Sequence, residues 1–147
     1  MELDIQNRLI GSEHEPFIIA ELSANHGGDI ELAKKTIQSA KDAGADAIKL
    51  QTYTPDTMTI DCQNPDFLID EGLWKGRNLY DLYKQAYTPF EWHPELFSFS
   101  KDIGIICFST PFDETAIDLL EDLNTPAYKV ASFELTDHVL LKNIAQT

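Results

Sequence analysis

Cysteine is nearly absent. Cys62 and Cys107 are the only two in 147 residues, they are far apart, and the second lies in an apolar run. That excludes a disulfide framework and implies free thiols in a reducing compartment. Basic residues are few as well: 11 Lys and Arg against 25 Asp and Glu leave a net charge of −14. Nucleic acids and anionic membranes both select a basic face, so neither is an expected partner. No apolar stretch approaches the ~20 residues that span a bilayer. The acidic opening MELDIQNRLIGSEHE lacks the basic-then-apolar layout of a signal peptide. A cytoplasmic chain is the expectation. Of the four histidines no pair has metal-ligand spacing. No G-x-G-x-x-G follows any apolar run, which speaks against an open dinucleotide-binding sheet.

What the sequence does have is a repeated unit. Four apolar runs each end in polar residues: FIIAE at Glu21, DAIKLQT with Lys49 and Gln51, IICFST at Ser109 and Thr110, and AYKVASFE with Lys129, Ser132 and Glu134. Strands buried on both faces read as near-continuous apolar runs, so an ammonium embedded in one needs a partner. Polar residues at the carboxyl end of strand after strand are the pattern of an active site shared at the mouth of a parallel barrel.

Strands are expected at 17–21, 45–51, 103–109 and 126–132. Between them lie helical segments. Residues 30–43 repeat apolar positions at three and four, with Asp29 as N-cap and Gly44 at the end. Thr88, Pro89 and Glu91 form a capping box ahead of a stripe of Trp92, Leu96, Phe99 and Ile103. Asp113 and Asp137 cap two further helices. Residues 3–10 read as a short hairpin. The long segment 52–87 holds one helical piece near 78–86, and segments of that length in compact domains are usually functional or mobile. Its Trp74, Lys75 and Arg77 fit either a solvated loop or a lid. The fold class is α/β. Because a full (β/α)₈ barrel needs about 250 residues, the expectation for 1–147 is the N-terminal half of one, its first four βα units.

Lys49 and Gln51, two apart on a strand, project to the same face, and Lys129 stands in the same relation to Ala127 and Ala131. Two cations converging on one pocket could hold a phosphate or carboxylate, with Ser109, Thr110 and Ser132 as further donors. Glu21 and Glu134 are the internal partners if the lysines are instead paired in a structural core.

The segments IIAELSANHGG, GADAIKLQTYTPDT, FSTPFDETAIDLLEDL and PAYKVASFELTD, in that order, resemble the sialic acid synthases from about residue 16 to the end. Those enzymes condense phosphoenolpyruvate with an amino sugar to give a nine-carbon 2-keto acid, with carbon–oxygen cleavage and loss of phosphate. KLQTYTPDTMT with GLWKGRNLYDLYKQAYTPFEWH is most similar to the pseudaminic acid synthase branch, whose sugar is a 2,4-diacetamido-2,4,6-trideoxy-altrose. The resemblance implies phosphoenolpyruvate contacts at Lys49, Thr110, Lys129 and Ser132, and sugar-facing positions at Glu21, Gln51 and Glu134. Glu134 is the implied proton-transfer group, with Glu21 beside it in the catalytic set. Asn25 and His26 are implied to shape the following loop and line the site. A divalent manganese or magnesium is implied, with histidine ligands from the second half of the barrel. A homodimer is implied too, completed by a C-terminal antifreeze-like domain. Neither that half-barrel nor that domain is expected within 1–147, so the chain alone is expected to turn over little or nothing. The alternatives are an N-acetylneuraminate or legionaminate synthase, an aldolase with a Schiff-base lysine, and a non-catalytic fragment.

Overall fold

The computed structural model describes residues 2–147. Strands β1 (Leu3–Ile5) and β2 (Arg8–Ile10) pair antiparallel across Gln6 and Asn7. Both turn residues have positive φ, 51° and 67°, which is what a two-residue hairpin turn demands. Arg8 then ties the expected hairpin to the main sheet. Its Nε donates to Asp46 Oδ1 at 3.0 Å, and its Nη2 donates to the carbonyls of Glu15 and Pro16. Asp46 Oδ2 accepts the Ile18 N–H at 2.7 Å. That amide, with Arg8 behind it, holds the Asp46 carboxyl below its ordinary range.

The remaining elements run strand then helix, with three helices between the second and third of these strands and two after the third. They are β3 (Ile19–Glu21), α1 (Ile30–Asp42), β4 (Ala47–Thr52), α2 (Pro55–Met58), α3 (Leu79–Ala86), α4 (His93–Ile103), β5 (Ile106–Pro111), α5 (Glu114–Asp122) and α6 (His138–Ile144). Strands β3, β4 and β5 form one parallel sheet in that order. Asp29, Asn78, Asp113 and Asp137 accept backbone N–H groups at the starts of α1, α3, α5 and α6. The core lies between the sheet and its helices: Ile48, Leu50 and Cys107 pack against Ala33 and Ile37 of α1 and Leu96 of α4. Full burial of each such Leu or Ile is worth roughly 1.5–3 kcal/mol. This is an arc of a βα barrel, with helices on one face of a parallel sheet. Among the described residues no helix is long and apolar enough to cross a membrane.

Three expectations need correction. The fourth strand does not form: over 126–132 the contact is a single parallel bridge, Tyr128 to Ser109, with the Lys129 N–H donating to Ser109 O at 3.1 Å. Pro126 brings no N–H, and no described strand pairs with the far side of this segment. Thr88 does not cap a helix. Its buried hydroxyl faces His26, a 3₁₀ turn fills 90–92, and α4 starts only at His93. The third strand starts at Ile106 and not 103, because Gly104 (φ 72°) closes α4 in the left-handed region after Ile103.

Candidate active site

Along β4, Ala47, Lys49 and Gln51 leave one face and Ile48, Leu50 and Thr52 the other. Packing fixes which is which, because Ile48 and Leu50 lie in the cluster with α1 and α4. The lysine face is therefore the one turned away from the helices. Register carries that face across the sheet. Glu21, Lys49 and Phe108 are aligned in one row, and Gln51 and Thr110 in the next row toward the carboxyl ends.

Lys49 is nearly enclosed, its side chain 9% exposed, and its Nζ lies 3.0 Å from Glu21 Oε1. The Glu21 side chain is 63% exposed. The buried ammonium thus has the partner it needs, and that partner remains wet at its other end. Thr110 is buried, yet its Oγ1 has no hydrogen-bond partner among the described residues, and the enclosed Glu134 Oε2 has none either. An unsatisfied buried polar atom costs roughly 1–3 kcal/mol. Such atoms in a native fold ask for an explanation, and a bound ligand is one.

Tyr128 sends its hydroxyl to Glu121 on α5, on the helix side. Alternation then directs the half-buried Lys129 to the Thr110 face. Ser132 is exposed at the start of the 133–136 turn that carries Glu134. Asn25 is exposed, and its Nδ2 donates to Leu22 O at 3.0 Å. In the same loop Ser23 donates to Gln51 Oε1 at 3.3 Å, which orients that amide. His26 shapes this loop from inside. It is fully buried, its Nδ1 accepts the Gly28 N–H at 3.1 Å, and its ring meets Trp92 edge-on.

Ser109 does not join the site. Its hydroxyl lies on the helix face, 2.6 Å from Thr52 Oγ1, and Thr52 Oγ1 lies 2.9 Å from His93 Nε2. His93 Nδ1 is 3.0 Å from the Pro89 carbonyl, which can only accept. Nδ1 of the neutral ring therefore carries the proton, Nε2 accepts from Thr52, and Thr52 accepts from Ser109. Burial lowers the pKa of both His26 and His93, which favours the neutral rings this wiring uses. The strand phase explains Ser109: it is two residues from Cys107, which packs on the helices, whereas Thr110 is two from Phe108. The same phase exposes residues that sequence reasoning passed over. Tyr53 and Phe112 continue the files of Gln51 and Thr110 by one more step of two.

Among the described residues no group of three or more His, Cys, Asp or Glu could hold a metal ion. Both buried histidines are committed to hydrogen bonds on or beside the helix layer. The residues present therefore do not fit the implied divalent metal.

The NeuB family model matches residues 36–147. The chain belongs to the NeuB family. It is 50% identical over 135 residues to the pseudaminic acid synthase of Campylobacter jejuni subsp. jejuni strain 81-176, an alignment covering 92% of this chain and 39% of that protein. With the pseudaminic acid synthase of Helicobacter pylori strain 26695 it shares 49% identity over 132 residues, covering 90% and 39%. The solved N-acetylneuraminic acid synthetase of Leptospira borgpetersenii, in complex with citrate, matches at TM-score 0.83 and 31% identity over 99% of this chain and 46% of that one. The chain thus spans about two fifths of the curated relatives' length. This NeuB-family arc carries Lys49, Gln51, Thr110 and Lys129 on one face, with Glu21 paired to Lys49, while Ser132 and Asn25 sit on exposed loops.

Proposed function

We propose that this chain supplies the phosphoenolpyruvate-binding face of a pseudaminic acid synthase, made of the first four βα units of the barrel, the fourth strand here reduced to the single bridge at Tyr128. In that reading the synthase condenses phosphoenolpyruvate with 2,4-diacetamido-2,4,6-trideoxy-altrose and releases phosphate by carbon–oxygen cleavage. The observation that carries it is the enclosed Lys49, held by Glu21, with the unpartnered Thr110 hydroxyl one row above. Charge-assisted hydrogen bonds to phosphate or carboxylate are the strong kind, and an anion placed there would satisfy both groups. Lys129 adds a second cation, and Ser132 a donor at the rim. Gln51, oriented by Ser23, and Asn25 face the sugar.

Glu134 is assigned the proton transfer. Its unpartnered Oε2 is free to exchange a proton with a group brought within hydrogen-bond reach. Glu21 holds the Lys49 charge in place and presents its wet oxygen toward the sugar. The divalent metal of the family would draw its ligands from outside these residues, and the roles of Lys49, Thr110, Glu21 and Glu134 do not depend on it. The remaining barrel strands, an antifreeze-like domain and a second subunit complete the site, and the assembly works in the cytoplasm, where phosphoenolpyruvate is made.

The test is phosphate release from phosphoenolpyruvate by the product of the complete reading frame, with manganese. The trideoxy-altrose and N-acetylmannosamine are supplied in parallel. Release with the first sugar only, abolished in Glu134→Gln, is the expected result. Release with N-acetylmannosamine alone would keep the chemistry and replace the sugar. No release with either would overturn the reading.

A further inference from the structure

The two files that build the anion floor run on past the strand ends. Tyr53 follows Gln51 by two, and Phe112 follows Thr110 by two. Their rings meet edge to face with centroids 5.5 Å apart, and Tyr83 of α3 meets Tyr53 in the same way at 5.9 Å. Thr52 points into the helix layer at His93, so Tyr53 points to the opposite side, above Gln51. The excursion between β4 and α4 is tied down around this group. Thr57 of α2 is hydrogen-bonded to the Asp113 carboxylate, and the Tyr80 hydroxyl donates to Asp56 Oδ1 at 3.1 Å.

Tyr53 is only 4% exposed, and its hydroxyl, which no described side chain or carbonyl holds, is not sealed in like that of Thr110 but reaches solvent. Tyr80 and Tyr128 both have a carboxylate. A buried tyrosine hydroxyl ordinarily finds a partner. Burial, with Tyr83 alongside, pushes the Tyr53 phenol up to about 12, so it stays a donor at any physiological pH. A neutral donor set in a wall of aromatic carbon is matched by one common substituent, the acetamido group, which offers a carbonyl oxygen and a methyl side by side.

We propose that Tyr53 is a sugar-binding, specificity-determining residue. Its hydroxyl donates to an acetamido carbonyl of the amino sugar while the Phe112 and Tyr83 rings pack against the acetamido methyl. This inference rests on the synthase reading above. It adds a polar contact at the mouth to the anion floor beneath.

The test is steady-state kinetics of Tyr53→Phe, which keeps the ring and its edge contacts and removes only the hydroxyl. The product of the complete reading frame is assayed with manganese, the diacetamido sugar and phosphoenolpyruvate. Loss of one hydrogen bond should raise the sugar KM about tenfold, or about 1.4 kcal/mol, with the phosphoenolpyruvate KM unchanged. An unchanged sugar KM would overturn the inference and leave the synthase reading standing. A rise in both KM values together would also overturn it, since Tyr53 would then be shaping the floor. Absence of phosphate release by the unaltered enzyme would instead overturn the synthase reading, and this inference with it.

Discussion

Mild acid should loosen this fold through two imidazoles. His26 and His93 are fully enclosed, and burial holds both below the ordinary histidine range. Each accepts a hydrogen bond at one ring nitrogen, His26 from the Gly28 amide and His93 from the Thr52 hydroxyl. A proton placed on either nitrogen turns the acceptor into a donor. The Gly28 N–H cannot reverse, and Thr52 can reverse only if Ser109 reverses too. The unfolded chain takes up protons near pH 6.5, while the fold resists them. Stability from these groups is therefore intact above that pH and lost as pH falls below it.

From pH 7.5 to 5.5 each histidine that stays neutral in the fold costs about 1.4 kcal/mol. For the pair the ceiling is about 2.7 kcal/mol, a large part of a typical 5–15 kcal/mol. The Pro89 and Phe90 carbonyls and the Glu91 carboxylate work against the shift at His93, and the Ala86 carbonyl does so at His26, so the observed loss should fall short of the ceiling. The assay is urea unfolding at pH 7.5, 6.5 and 5.5 for the wild type, His26→Gln, His93→Gln and the double variant. His14 and His138 remain throughout, so differences in slope isolate the buried pair. Each single variant should lose part of the pH slope and the double variant most of it. A double variant with the wild-type slope, or a wild type whose stability is flat across this range, would refute the argument.

Thr110→Val removes a buried hydroxyl that has no partner, so thermal unfolding should show it stabilised by about 1 kcal/mol while calorimetry shows weaker phosphoenolpyruvate binding. Loss of stability together with unchanged binding would mean the hydroxyl serves the fold. Glu21→Gln strands the enclosed Lys49 charge and should cost about 3 kcal/mol in denaturant unfolding. Lys49→Met leaves only a solvated carboxylate and should cost less; the reverse order would show that the pair is not as asymmetric as its exposure implies. Cys107, buried and pushed up to about 12, should resist a thiol reagent in the native protein while the half-buried Cys62 reacts. Two fast thiols before unfolding would contradict that.

The parts of this molecule that sequence reveals are those set by local periodicity. Asp29, Asp113 and Asp137 cap their helices as their spacing foretells, because an N-cap is decided within four residues. Lys49 and Gln51 are legible because the apolar run around them fixes strand phase over six residues. Ser109 is misleading because a polar strand end alone does not reveal its phase, and only the helix packing of Cys107 settles that. The failed strand at 126–132 has suitable apolar content, but pairing is a tertiary fact, and its bridge to Ser109 reaches one residue. His93 resembles any polar residue on a helix. Its ring is held by Thr52, a residue 41 positions away that only folding brings against it, and that separation carries no local signal.

Neighbouring residues on β5 set a fold-bearing hydroxyl beside one assigned to the proposed site. Ser109 and Thr110 are both buried hydroxyls, one residue apart, and a strand sends them to opposite faces. On the helix face the hydroxyl enters a satisfied chain through Thr52 and His93 to the Pro89 carbonyl. On the inner face the hydroxyl has no partner among the described residues, and the carboxylate oxygen of Glu134 shares that condition. Random packing defects would not respect the pleat. Ser109 satisfied on the face the helices cover, and Thr110 unsatisfied on the face of Lys49 and Gln51, is the difference the proposed anion site would require. The same pairing predicts opposite results for two matched substitutions. Ser109→Ala should weaken folding by breaking a complete chain, and Thr110→Val should not. If unfolding experiments find both changes equally costly, the inner face is simply core, and the case for an anion site on it fails.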